Sequence, residues 1–346
     1  MKKRLYMDIH ALQAVPASCI NRDDAGSPKE MVYGGTIRGR VSSQSWKNAM
    51  RTYFSDIGED VGIRTRKIKD KLVEKLIENE IEPEIAEEFA GAALKDSNLT
   101  TSADDKKQAI VFLSETQINN LSEVILRKLK ESDDYDDKEY KFDLKKAVSD
   151  NPTSDMILFG RMMANDASLN YAAAAQVAHA FTVNESREEY DYFTAVDDLS
   201  GDEAGAAHLD SKSYNSGVYY RYANVNLSED SELIRMDKDN AAKSARNFAE
   251  AFICSMPSGS SNSYANRTVP DVIIINLRQN MPISYAPAFL KAIDGEDYLT
   301  EATVRLNEYE AEVNRKYREP SLTLTFKNMS LDEILDKLEA EIQEVL

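Results

Sequence analysis

Two arginines one residue apart open the chemistry of this chain. In Thr36-Ile37-Arg38-Gly39-Arg40-Val41 an extended backbone sends alternate side chains to opposite faces, so both guanidinium groups share one face and the aliphatics the other. The next segment continues the theme. On a helical wheel of about 100° per residue, Gln44, Lys47, Asn48 and Arg51 fall on one side, and Trp46, Ala49, Met50 and Tyr53 on the other. Cations and amides spread along a strand and a helix suit the holding of a polyanion by its phosphates, which positions a nucleic acid without reading its sequence. Gly34-Gly35 would let a ligand approach the backbone closely, and Ser42 or Ser43 can cap the helix. The same side chains also fit an ordinary surface on which cations pair with nearby acids.

The charge background favours the anion. Through residue 51 there are nine Lys/Arg (Lys2, Lys3, Arg4, Arg22, Lys29, Arg38, Arg40, Lys47, Arg51) against four acids, a local charge of +5. The whole chain carries −18, so the remainder carries −23. Positive charge concentrated against such a background is directed at an anion, with a polyphosphate backbone foremost.

Composition bounds the rest. With 346 residues, 42% of them hydrophobic, the chain can bury one large core or two modest ones. No stretch approaches the roughly 20 apolar residues of a membrane span, and the first residues lack the apolar run of a signal peptide. Cys19 and Cys254 are too few for a disulfide scaffold and read as unpaired thiols in a reducing cytosol. His10, His179 and His208 show no metal-ligand spacing and read as hydrogen-bonding residues of a strand, a helix and a loop. The expectation is a soluble, cytoplasmic protein without metal or cofactor.

The elements that must position the cations follow from periodicity. Leu5 to Ala11 alternates Leu5, Met7 and Ile9 with Tyr6, Asp8 and His10, the pattern of a half-buried strand. Val218 to Val225 is aromatic and β-branched and predicts a second strand. A helix near 240–255 carries Ala241, Ala245, Phe248 and Phe252 on one stripe, and Asp271 to Leu277 is a short apolar run of central-strand type. Strand, helix, strand at that spacing, added to the N-terminal strand and its helix, suggests a split βαβ, ferredoxin-like sheet. Residues 60–180 look helical: Ile68, Leu72 and Leu76 recur by four, and Ile118, Leu121, Ile125 and Leu129 by three, four and four. Within that region, 131–139 reads as a solvated loop, and the small-residue run Tyr171 to Ala180 as a closely packed helix. Asp197 to Gly217 is too long and glycine-rich for an ordinary turn. A terminal amphipathic helix places Leu331, Ile334, Leu335, Leu338 and Ile342 on one face.

These residues carry a resemblance. Ser18-Cys-Ile-Asn-Arg-Asp-Asp24 and Tyr33-Gly-Gly-Thr-Ile-Arg-Gly-Arg-Val-Ser-Ser-Gln-Ser-Trp-Lys47 resemble the CasC family, the backbone subunit of type I-E CRISPR Cascade surveillance complexes. The likeness continues through Gly160-Arg-Met-Met163, Ala178-His-Ala-Phe-Thr182, Asp191-Tyr-Phe-Thr-Ala-Val-Asp-Asp-Leu199, Gly205-Ala-Ala-His-Leu209 and Ser216 to Leu227. It departs mainly in residues 60–150 and beyond 290.

The resemblance implies an α+β hand. An RRM-like palm would span 1–58 and 181–346, helical fingers 59–180, and a thumb loop or hairpin about 190–217. Several copies would line a CRISPR RNA as a helical filament beside other Cascade subunits, leaving guide bases free to pair with target DNA. Residue by residue, it assigns guide-backbone contacts to Asn21, Arg22, Lys29, Arg38, Arg40, Ser43, Gln44, Lys47 and Arg51. The apolar wedges would be Met162 or Met163 on the fingers and Val196, Leu199 or Leu209 on the thumb, positions that plain core packing fits as well. The role implied is binding without catalysis. Two rivals remain: a metal-dependent ribonuclease like type III relatives, and a free-standing RNA-binding protein. Asp23-Asp24 and Asp197-Asp198 are adjacent acids, but consecutive side chains of an extended chain point apart, which suits loop capping and thumb folding better than a two-carboxylate metal site.

Overall fold

The computed structural model describes residues 3–99, 110–131, 135–163, 165–194, 209–327 and 329–346. Its strands are β1 (Tyr6–Ser18), β2 (Glu30–Tyr33), β3 (Thr36–Val41), β4 (Ile63–Thr65), β5 (Val111–Leu113), β6 (Ala175–Val177), β7 (Ala180–Thr182), β8 (Glu189–Thr194), β9 (Leu209–Asn226), β10 (Val272–Arg278) and β11 (Leu322–Thr325). The helices are α1 (Ser43–Asp56), α2 (Ile68–Glu78), α3 (Pro83–Asp96), α4 (Glu115–Glu131), α5 (Asp137–Ser149), α6 (Ser154–Phe159), α7 (Glu232–Asp237), α8 (Ala241–Cys254), α9 (Ser261–Tyr264), α10 (Tyr298–Tyr317) and α11 (Leu331–Val345). The chain divides into one unit of residues 1–53 and 175–346 and a second of residues 54–174. The second unit thus begins inside α1 and ends before β6, because Ala175, Gln176 and Val177 pair with β9 of the first.

In the first unit the sheet runs β11-β10-β1-β9-β7-β3-β2, with β6 and β8 also on β9. Both β9 and β10 are antiparallel to β1, so they run parallel to each other on either side of it, joined through α8. The strand–helix–strand unit read from the sequence is therefore split by the N-terminal strand. That strand is longer than its alternation implied and covered on both faces. Asp8 and His10, polar positions of the expected half-exposed face, are fully buried. Asp8 Oδ2 lies 3.3 Å from Arg278 Nε, and Asp8 Oδ1 accepts from Tyr222 Oη at 2.8 Å. Burial still pushes the Asp8 carboxyl up to about 6, against the Ile283 N–H, Tyr222 and Arg278. His10 stacks on Tyr285 at 3.8 Å and shares a 2.9 Å hydrogen bond with Tyr220.

Leu12, Phe181, Tyr220, Ile274, Phe289, Leu306 and Val313 fill the face under α10. Val15, Val41, Trp46, Ala180 and Tyr219 fill the face under α1. The terminal helix α11 buries Ile334, Leu335, Leu338 and Ile342, opens with a Ser330–Glu333 capping box, and packs on α8.

The second unit buries Ile68, Leu72 and Leu76 of α2 and Ile118, Leu121 and Ile125 of α4, the periodic positions read from sequence. It is not wholly helical, since β4 and β5 pair as a short antiparallel ribbon. The 131–139 stretch differs from a plain solvated loop. Asp136 caps α5 by accepting from the Lys138 and Glu139 N–H groups, and Tyr135 is buried with its hydroxyl donating to Asp143 at 2.5 Å. The alanine run 171–180 is extended, not helical. Its helical propensity yields to open edge positions: Ala175 and Val177 pair with β9, and Ala180 pairs with Val41.

Candidate nucleic-acid interface

The loop after β1 is closed by its own side chains. Asp23 Oδ1 accepts from the N–H groups of Ala25 and Ser27, at 2.9 Å each, the capping expected of it. Asn21 joins this loop to the next two elements: its carbonyl accepts from Lys29 N–H at 2.8 Å, and its Oδ1 accepts from Ser42 N–H at 3.0 Å, just before α1. Arg40 N–H then donates to the Lys29 carbonyl at 2.7 Å. Asn21, Lys29, Arg40 and the start of α1 are thereby fixed relative to one another. Residues Ile20 to Gly26 and Gly259 line a concavity of 610 Å³. A Cβ on Gly259 would meet the Ile20 carbonyl at 2.0 Å, so only glycine lets the two segments approach this closely.

A residue outside the expected site holds it together. His179 Nδ1 accepts from Ser43 N–H at 3.2 Å and lies 3.3 Å from Arg40 Nη1. An Nδ1 that accepts from two donors places the ring proton on Nε2 and keeps the imidazole neutral. Burial, then the charges of Arg40 and Lys29, hold its pKa below the ordinary value. From Ser43, Lys47 and Arg51 follow at intervals of four, forming one stripe of α1. Gln44 and Asn48 are exposed beside it, while Trp46, Met50 and Phe54 are buried. The first turn of α1 holds no acid, so its positive dipole end is unopposed locally. Trp46 is pinned beneath by the Arg221 guanidinium, 3.7 Å from its ring. Together these groups offer hydroxyl, amide and cationic donors in a row, a donor set for phosphate oxygens.

Not every expected contact is at this surface. Arg38 is fully buried, and its guanidinium donates to the carbonyls of Thr182 (2.9 Å), Val183 (2.7 Å) and Phe289 (3.1 Å). It shares a strand face with Arg40, but that face turns into the core at position 38, so Arg38 is a structural staple. Gly34 makes its close approach to the chain itself, with the Leu290 carbonyl 1.6 Å from where a Cβ would sit. Arg22 is exposed and Lys29 half-buried. Of the two methionines expected as wedges, Met162 is 83% exposed, whereas Met163 is buried in the core of its unit, which leaves Met162 alone of the pair at the surface.

Val196 and Leu199 lie outside the described residues, as do Asp197, Asp198 and His208. Leu209 opens β9 opposite Thr194. From that point the expected irregular segment is regular: β8 and the first half of β9 form a two-stranded ribbon, Glu189 opposite Tyr214 and Tyr192 opposite Ser211. His179 sits between β6 and β7 in place of a helix. Both cysteines are free. Among the described residues no three His, Cys, Asp or Glu side chains cluster as a metal site, and no helix is long and apolar enough to cross a membrane.

A mixed α+β chain with this mostly antiparallel sheet is similar to solved subunits of CRISPR surveillance complexes. One is a chain of a CRISPR RNA-guided surveillance complex, pre-nicking, with 31% identity and a TM-score of 0.81, covering 99% of this chain and 100% of that one. Another, from a CRISPR RNA-guided surveillance complex, is 28% identical with a TM-score of 0.61 and the same coverage. The model of the CT1975-like proteins matches residues 7–345, and the chain belongs to that family. No curated protein matches the sequence.

Proposed function

We propose that this protein is the guide-binding backbone subunit of a type I-E Cascade complex. It holds a CRISPR RNA by phosphate and sugar and leaves the bases free to pair with target DNA. The observation that carries the reading is the Ser43–Lys47–Arg51 stripe, clamped at its start by His179 and flanked by Asn21, Lys29 and Arg40. It is reinforced by likeness over the full chain to subunits of RNA-guided complexes. In this reading the first unit is the palm, its β10-β1-β9-β7 order being that of a ferredoxin-like or RRM-like sheet. The second unit is the fingers, and the β8–β9 ribbon begins the thumb. Met162, Val196, Leu199 and Leu209 are the proposed wedges. Copies joined head to tail without closing form an open filament along the guide, together with other Cascade subunits.

The role is non-catalytic. Incubation with guide, complementary RNA and Mg²⁺ or Mn²⁺ should leave both strands intact. Regularly spaced cuts abolished by an Asp23 or Asp24 substitution would establish the ribonuclease instead. The direct test is purification from the native host and sequencing of the bound RNA. CRISPR RNAs with many different spacers are expected; absence of RNA, or RNA of one unrelated sequence, would overturn the proposal.

A further inference from the structure

Beneath the stripe of α1 lies a buried cation that no carboxylate neutralises. Arg221 of β9 is 2% exposed, and among the described residues it forms no ion pair. Burial lowers its pKa to about 9, well below the ordinary arginine value, so the charge is kept out of water at a cost. Exchanging such a group for an apolar one of similar volume is often neutral or stabilising. Fold stability alone therefore gives no reason for an arginine here.

Its contacts converge on α1. Alternation along β9 puts Arg221 on the face of Tyr219, which packs with Trp46. Nη1 donates to Gln13 Oε1 at 2.7 Å, and Gln13 Nε2 in turn donates to the Thr268 carbonyl and hydroxyl at 3.0 and 3.1 Å. Nη2 donates to the Phe252 carbonyl. Ser255 N–H closes on Ala251, so Phe252 has the first carbonyl of α8 without a helical partner, at the negative end of that helix. The guanidinium also lies over two rings, 3.7 Å from Trp46 and 4.5 Å from Phe252. The Trp46 indole N–H finds no acceptor among the described residues, so packing and this stacked cation orient the ring. Further along α1, Tyr53 Oη donates to Glu250 Oε1 of α8 at 2.9 Å. One tie precedes Lys47 by one residue, and the other follows Arg51 by two. A helix resting on apolar packing alone can roll, and at about 100° per residue a small roll carries the stripe off a row of phosphates. Directional ties at both ends oppose that roll.

We propose that Arg221 is a positioning residue for the guide: stacked on Trp46 and anchored to β1 and α8, it fixes the roll of α1 and so presents Lys47 and Arg51 in line. This rests on the proposed guide-binding role of that stripe. Arg221 itself touches no RNA, since its side chain is closed off beneath the helix.

The test is a double-mutant cycle on the full chain. Guide affinity is measured for Arg221→Met in the wild-type background and in Lys47→Gln with Arg51→Gln. Alone, Arg221→Met should weaken guide binding about tenfold, the order of the freedom regained by two long side chains. In the variant lacking the stripe cations it should change affinity less than about twofold, because little is left for α1 to position. Trp46 is the only tryptophan, so acrylamide quenching of its emission reads the seat of α1 directly. Quenching should rise in Arg221→Met before any guide is added. Arg221→Lys should not restore binding, because a compact ammonium lacks the planar fork; full binding by that variant would reduce the role to charge and overturn the inference. Unchanged affinity for Arg221→Met, or quenching identical to wild type, would also overturn it. So would an equal loss in both backgrounds, which would make Arg221 a support of the sheet at large. Should Arg221→Met fold poorly, Trp46→Leu removes the same tie from the other side and carries the same cycle. A wild-type chain that binds no guide would instead refute the function proposed above, and the quenching comparison would still decide whether Arg221 holds α1.

Discussion

The backbone N–H of Ser43 donates to Nδ1 of His179 at 3.2 Å, joining the first residue of α1 to a segment 136 positions away. The same nitrogen faces Arg40, so one neutral imidazole orders both a cation and a helix end. Because burial and the charges of Arg40 and Lys29 depress its pKa, the unfolded chain takes up this proton at higher pH than the folded one. The stability His179 contributes is therefore complete above the ordinary histidine value of about 6.5 and is lost as pH falls below it. Thermal unfolding at pH 7.5 and 5.5 should show a larger loss for the wild type than for His179→Gln. An equal loss would remove His179 from this role.

Arg38 and Arg40 should separate cleanly. Arg38→Ala strands three buried carbonyls and is expected to cost at least about 3 kcal/mol in chemical denaturation. Arg40→Gln should change stability by less than about 1 kcal/mol while weakening guide binding. Similar stability for the two variants would contradict the buried placement of Arg38.

The β2–β3 turn makes a steric prediction. Gly34 and Gly35 have φ of +61° and +80°. Gly35→Ala meets nothing within 4 Å and should cost only the left-handed strain, about 1–2 kcal/mol. Gly34→Ala adds a collision with the Leu290 carbonyl and should cost clearly more. Equal melting temperatures would show that the turn is not seated on Leu290.

Met162 and Met163 should part in the same way. Met163→Ala removes a core side chain and should cost about 2–5 kcal/mol. Met162→Ala should leave the unfolding midpoint within about 0.5 kcal/mol of wild type and reduce target pairing more than guide binding. Unchanged pairing would remove Met162 as a wedge.

What the sequence disclosed, and what it hid, has a physical pattern. The two sides of α1 were legible because a 3.6-residue period survives in any surface helix, and so Lys47 and Arg51 were placed on the open side. Arg38 was misplaced because alternation says which residues share a face but not where along the strand that face enters the core. Asp8 and His10 looked solvent-facing because polar residues usually are. Their burial depends on Arg278, Tyr222 and Tyr285, more than 200 residues away. His179 gave no signal, since its partners Ser43 and Arg40 are brought to it only by the pairing of β3 with β7. The family motifs compensated in part: Ala178-His-Ala-Phe-Thr182 marked the right segment, though not what the histidine does.

The most direct test of the guide cradle is the salt dependence of guide binding by Lys47→Gln with Arg51→Gln, measured with two guides of unrelated spacer sequence. Affinity should fall by the same factor for both guides, and the slope of log affinity against log salt should flatten by about 1.4, near 0.7 for each single-strand phosphate that a cation no longer neutralises. A loss confined to one spacer, or a slope identical to wild type, would contradict the account that this stripe holds the RNA by its backbone.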